Sequence, residues 1–138
     1  MEIAFGDINY LAVAAAIILN MVLGALWYGP LFGKPWMALN NLTMEMIKEQ
    51  GSPIKQYAVA VIASVIISIA IAFVAEAAGV ANAAEGAMLG AIMSVGLVAT
   101  AFGTSYMFES KALRHYLINA GYPVAAAVLI GTLIGAWQ

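Results

Sequence analysis

Between residues 106 and 123 the sequence reads YMFESKALRHYLINAGYP. The stretch holds Glu109, Lys111, Arg114, the chain's one histidine and three tyrosines. Read as a helix from Lys111, the spacing sets Lys111, His115 and Asn119 four apart on one face, with Tyr122 close by. Glu109 stands just ahead of that helix, where negative charge is favourable. Such a cluster suits an anionic headgroup or a small polar ligand. The same residues also suit a plain helix start with snorkelling cations and one salt bridge. Nucleophilic catalysis has no support, because a lone His with Glu is not a triad and no Ser has a placed base.

A second stretch, LGALWYGPLFGKPW at residues 23 to 36, has the residue types of a binding surface. Trp27 and Tyr28 offer flat apolar walls with polar tips, suited to an amphipathic guest. Gly29-Pro30 and Gly33 allow close backbone approach. Lys34, with Lys111 and Arg114, supplies a positive field attractive to anionic headgroups. Asn119 and Tyr122 add neutral hydrogen bonds. The candidate ligand site is therefore Trp27, Tyr28, Lys34, Glu109, Lys111, Arg114, His115, Asn119 and Tyr122, where the first apolar segment ends and the last begins. The competing account is an aromatic belt with a snorkelling lysine and no site, and it also covers Phe32, Trp36, Tyr57, Tyr106, Phe108 and Tyr116.

The elements that must position these residues follow from composition. Of 138 residues, 64% are hydrophobic and 9% charged, against about 45–50% and 25% in soluble domains. A water-soluble chain this small cannot hide that much apolar surface. The absence of cysteine excludes disulfides and thiolate sites, and one histidine supports no metal site. A net charge of −2 without a basic run argues against nucleic acid as a partner. No cofactor is expected.

Four apolar segments are long enough for spanning helices of about 20 residues. They run roughly 8–28, 53–78, 83–108 and 111–137 in a single integral membrane domain. The expected caps are Asp7, Ser52 ahead of Pro53, Asn82 with Glu85 as a capping box, and Ser110. Gly29-Pro30 is expected to end the first span and Gly79 the second. Pro123 sits too far along to start a span that crosses the roughly 30 Å core, so the last helix begins earlier and kinks there. Thr43 caps a short interfacial helix, MEMIKEQ, in the first loop. The first ten residues carry Glu2 and Asp7 but no Lys or Arg, so the first span is expected to be retained and not cleaved as a signal.

Lys34, Lys48, Lys55, Lys111 and Arg114 all fall in the first and third loops. The positive-inside rule then puts those loops in the cytoplasm and both termini outside. Within the spans no charge lies near the midplane, which weakens ion-coupled transport. Asn20 is the most central polar residue and suits an interhelical hydrogen bond. Ser64, Ser68, Ser94, Thr100 and Thr104 can bond their own helix backbones. Gly86, Gly90 and Ser94, and Ala127, Gly131 and Gly135, form small-residue stripes that pack helices inside the bundle or join two subunits. A second small face holds Gly96, Thr100 and Thr104. Gly24-Ala-Leu-Trp27 and Gly103-Thr-Ser-Tyr106 make a short internal echo.

LGALWYGPLFGKPW, the FES-K run after the third span, and LINAGY ahead of Pro123 together resemble the domain-of-unknown-function 1761 family. The marked positions are Gly24, Trp27, Tyr28, Gly29, Pro30, Phe32, Gly33, Lys34, Trp36, Glu109, Asn119, Gly121 and Tyr122. The resemblance implies a small, bacterial-type, four-span membrane protein and supplies no catalytic residues. The expected architecture is all-α, a four-helix transmembrane bundle in a bacterial inner membrane, with self-association as a dimer. The leading functional expectation is a non-enzymatic binding or accessory protein for an anionic lipid or small amphipathic ligand. A transporter or channel subunit would need oligomerisation to build a path past Asn20. A lipid-modifying enzyme would need Glu109 and His115 to converge.

Overall fold

A computed structural model describes residues 5–138, so Glu2 lies outside the described residues. After a short 3-10 turn, Phe5–Asp7, helix α1 covers Tyr10–Leu26 and continues as a π-helical turn, Trp27–Leu31. Two short helices follow, α2 at Gly33–Leu39 and α3 at Met44–Glu49. Helix α4 spans Ile54–Ala78. Helix α5, Ala83–Met93, passes through a π segment, Ser94–Ala99, into α6, Thr100–Phe108. Helix α7 covers Leu113–Ala136. The continuous rods of 22, 25, 26 and 24 residues are each long and apolar enough to cross a membrane, since about 1.5 Å per residue carries them past a roughly 30 Å core. The protein is an all-α, multi-pass membrane protein.

Several ends differ from the expectations, each for a local reason. Asn9, not Asp7, caps α1: its Oδ1 accepts from the Ala12 amide at 3.2 Å. Asp7 is held in the preceding 3-10 turn. Pro53 itself stands at the cap position of α4, and no side chain caps that end. Ser110 closes α6 instead of capping α7. It takes a left-handed conformation, φ +55°, while Ser110 N bonds Met107 O and Lys111 N bonds Tyr106 O. Those two bonds form a Schellman closure, so α7 starts at Leu113, two residues later than Lys111. Gly79, φ +69°, ends α4 in the same way, as expected. Asn82 caps α5 through the Glu85 amide, and the Glu85 carboxylate reaches back to the Ala81 amide. Thr43 caps α3 as expected.

Gly29-Pro30 does not stop the first helix. The chain widens into the π turn, and Phe32 N bonds Trp27 O at 2.8 Å, five residues back. An α-helix would drive the Pro30 ring against the carbonyl four residues before it, and the wider turn relieves that clash. The turn then folds back tightly: a Cβ at Gly33 would stand 2.7 Å from Tyr28 O, so only glycine fits. Pro123, by contrast, sits inside α7, which runs through it to Ala136.

Helix α7 packs against each of the other three rods. Ala12, Ala16, Ile71, Ala75, Ile130 and Ile134 form much of the core toward the end of the bundle that holds Asn9 and Trp137. The two glycine stripes face one another. A Cβ at Gly86 would strike Gly131 O, one at Gly90 would strike Ala127 O, and one at Gly135 would strike Asn82 O. Missing side chains let the backbones of α5 and α7 touch, the contact that binds helices in lipid. These stripes are therefore internal, the packing role that the sequence allowed beside a subunit interface. The second small face stays open, with nothing near Gly96 and with Thr100 and Thr104 exposed. At the opposite, basic end, α4 stands clear of the bundle until Ser64, its first buried residue.

Candidate functional site: an aromatic clasp at the basic end

The π turn delivers Trp27 and Tyr28 to α7, and both become fixed there. Trp27 Nε1 donates to Ile118 O at 2.8 Å. Tyr28 OH donates to Asn119 Oδ1 at 3.1 Å, and Asn119 Nδ2 donates to Tyr106 OH at 2.7 Å. One turn deeper, Tyr122 OH donates to Asn20 Oδ1 at 2.7 Å, and Asn20 Nδ2 donates to Ser64 Oγ at 2.8 Å. Ser64 in turn donates to Met21 Sδ at 3.4 Å. The Tyr28 and Tyr122 rings meet edge to face at 5.6 Å, and Tyr28 meets Trp36 of α2 at 5.5 Å. Polar side chains from all four rods are thus joined in two short chains of hydrogen bonds, with an aromatic contact between them.

Glycines make room for this. A Cβ at Gly24 would lie 3.1 Å from Tyr122 OH, and one at Gly121 would lie 2.9 Å from Trp27 Cζ2. In the echo sequence, Gly103 faces Tyr116 of α7 as Gly24 faces Tyr122. A family model described as a protein of unknown function (DUF1761) matches residues 11–135. The chain belongs to the DUF1761 family. No curated protein and no solved structure matches it. Of the positions that carry the DUF1761 resemblance, Gly24, Trp27, Tyr28, Gly33, Trp36, Asn119, Gly121 and Tyr122 all take part in the clasp or in the glycine contacts that seat it.

The structure separates the expected site residues into groups. Trp27, Tyr28, Asn119 and Tyr122 come together, but their hydrogen-bonding groups meet protein partners, so they are not free donors under a ligand. Glu109 pairs with Lys111 at 2.7 Å, and the Lys111 ammonium lies 4.6 Å from the centre of the Tyr106 ring. The hydrogen bond to Glu109 raises the Lys111 pKa above its ordinary value, with the charges of Glu109 and Tyr106 acting in the same direction against desolvation. His115 is buried, with its ring edge-on to Tyr106 at 5.3 Å. The partner of Glu109 is Lys111, and that of His115 is the Tyr106 ring. Lys34 and Arg114 are exposed, and neither is in an ion pair among the described residues. Asn20 is buried and bonded to both Ser64 and Tyr122.

Two residues carry more than their sequence context indicated. Tyr106 reads as a belt residue, yet it is buried and touches Asn119, Lys111, His115 and Tyr116. Ser64 reads as a self-satisfied serine, as Ser94, Thr100 and Thr104 indeed are, but it is the partner of Asn20. Their matched depth on antiparallel spans was the available signal. Ser68 has a buried hydroxyl with no partner among the described residues.

Beside the clasp, α1 and α4 enclose a groove of about 500 Å³ lined by Gly24, Tyr28, Gly29, Gln56, Tyr57 and Tyr122, among others. It exists because Gly24 and Gly29 have no side chains and α4 stands off above Ser64.

Proposed function

We propose that this protein is a non-enzymatic binding or accessory protein of the membrane, holding a lipid or other small amphipathic molecule in the groove between α1 and α4. The groove's make-up carries this reading. The Tyr28 and Tyr122 hydroxyls are held by Asn119 and Asn20, so those residues offer the groove aromatic surface. Gln56 and Tyr57, both exposed, add an amide and a hydroxyl to its lining. A concave, mostly apolar site with a few polar groups, in the range of about 300–1,000 Å³, is what small-molecule sites have in common. On the positive-inside rule the proposal places this end in the cytoplasm of a bacterial-type cell, with both termini outside.

Mass spectrometry of molecules that co-purify from native membranes tests it. Wild type is expected to carry an amphipathic molecule that Ala60→Phe and Gly29→Leu both lose, with helical content unchanged. Nothing lies within 4 Å of a Cβ at Gly29, so that variant fills the groove without disturbing packing. Equal recovery from wild type and both variants would leave the end of the bundle as an anchor only.

A further inference from the structure

At the Tyr106 edge of the clasp, two adjoining grooves of about 570 and 410 Å³ share Gly103, Met107 and Tyr116, and the smaller is also lined by Tyr106. Together they form a trough along α6, from Ala99 and Thr100 toward Lys111. Its walls are mainly apolar, and the hydroxyls of Thr100, Thr104 and Tyr116 are bonded to backbone carbonyls. The Thr100 and Thr104 hydroxyls donate to Gly96 O and Thr100 O. Tyr116 OH donates to Ala99 O at 2.9 Å, which holds its ring beside Gly103. Gly103 leaves the floor low. The charged group of the lining is Lys111, at the end where the spans meet the loop. Glu109 neutralises part of that charge, but Arg114, exposed and in no ion pair among the described residues, follows in the first turn of α7.

An apolar trough with Lys111 at its loop end, and the exposed Arg114 three residues further on, matches one kind of occupant. We propose that it seats an anionic phospholipid, one acyl chain over Gly103 and the phosphate at Lys111 and Arg114. The site is separate from the groove between α1 and α4 and does not depend on it.

The test uses the full chain in nanodiscs of equal parts phosphatidylglycerol and phosphatidylcholine, followed by extraction and native mass spectrometry of the lipid retained. Wild type is expected to retain phosphatidylglycerol in preference. Lys111→Ala lowers that preference about fivefold, the worth of one cation near an anionic headgroup. Glu109→Gln, which removes the competing carboxylate, raises it. Gly103→Leu fills the trough and loses the lipid, and Thr104→Phe does the same from an exposed position should Gly103→Leu fail to fold. Ala60→Phe, in the other groove, leaves the ratio at the wild-type value. Equal retention of the two lipids by wild type overturns the proposal. So does an unchanged ratio in Lys111→Ala, or a loss in Ala60→Phe in place of the trough variants.

Discussion

The indole of Trp27 occupies the space that a side chain at position 121 would need, since a Cβ built on Gly121 stands 2.9 Å from Trp27 Cζ2. The same indole is anchored by its hydrogen bond to Ile118 O, so it cannot simply swing away. Gly121→Val is therefore expected to destabilise the bundle by about 1–3 kcal/mol, the usual cost of overpacking. Thermal unfolding of the purified protein in detergent measures this. Gly29→Val, next to open space, serves as the comparison, and equal losses in the two variants would show that Trp27 yields freely.

The contact between α5 and α7 is stricter, because backbone meets backbone. Gly131→Ala puts a methyl group onto Gly86 O, and no rotamer change can relieve it. The helices must separate, at a cost of about 3 kcal/mol or more by the overpacking scale. Gly96→Ala meets nothing within 4 Å and is expected to be neutral or to stabilise by up to about 1 kcal/mol through helix propensity. Unfolding titrations in sodium dodecyl sulfate would rank them. A Gly131→Ala protein as stable as Gly96→Ala contradicts the internal packing.

Asn20 and Ser64 face each other across α1 and α4 at 2.8 Å. A double-mutant cycle with Asn20→Ala and Ser64→Ala is expected to give a coupling of about 0.6–1.7 kcal/mol, the range for interhelical hydrogen bonds in membranes. Tyr122→Phe should also destabilise, because it removes the donor to Asn20 Oδ1. Strict additivity of the two alanine changes would mean the pair does not form in the membrane.

The chain has no cysteine, so single-cysteine variants report topology without background. With the basic end inside, a membrane-impermeant maleimide added to intact cells should label Gln138→Cys and miss Lys48→Cys until the membrane is opened. The reverse pattern would invert the orientation.

Some of this architecture is written in short segments of chain. The four spans follow from runs of apolar residues, and Gly79, Asn82 and Thr43 mark helix ends because a left-handed φ or a capping oxygen acts on its own neighbours. The gathering of every Lys and Arg around the first and third connections between spans is likewise a property of the sequence. Even so, local signals misplaced Ser110, which ends one helix instead of starting the next, and Gly29-Pro30, which widens a helix instead of stopping it.

Partner choice is another matter. The family motif pointed to Trp27, Tyr28, Asn119 and Tyr122 as a group, but only the fold showed that they bond to one another and to Asn20, Ser64 and Tyr106. Asn20 and Tyr122 are 102 residues apart, and Asn20 and Ser64 are 44 apart. The two glycine stripes were legible, yet the choice between packing within one chain and packing between two was made by the approach of α5 to α7. The physical reason is that lipid is as apolar as the helices, so hydrophobicity sorts segments into the membrane without saying which faces meet. Those faces are selected by steric fit between distant backbones and by the need to satisfy each buried polar group, and both are decided only once the whole bundle is assembled.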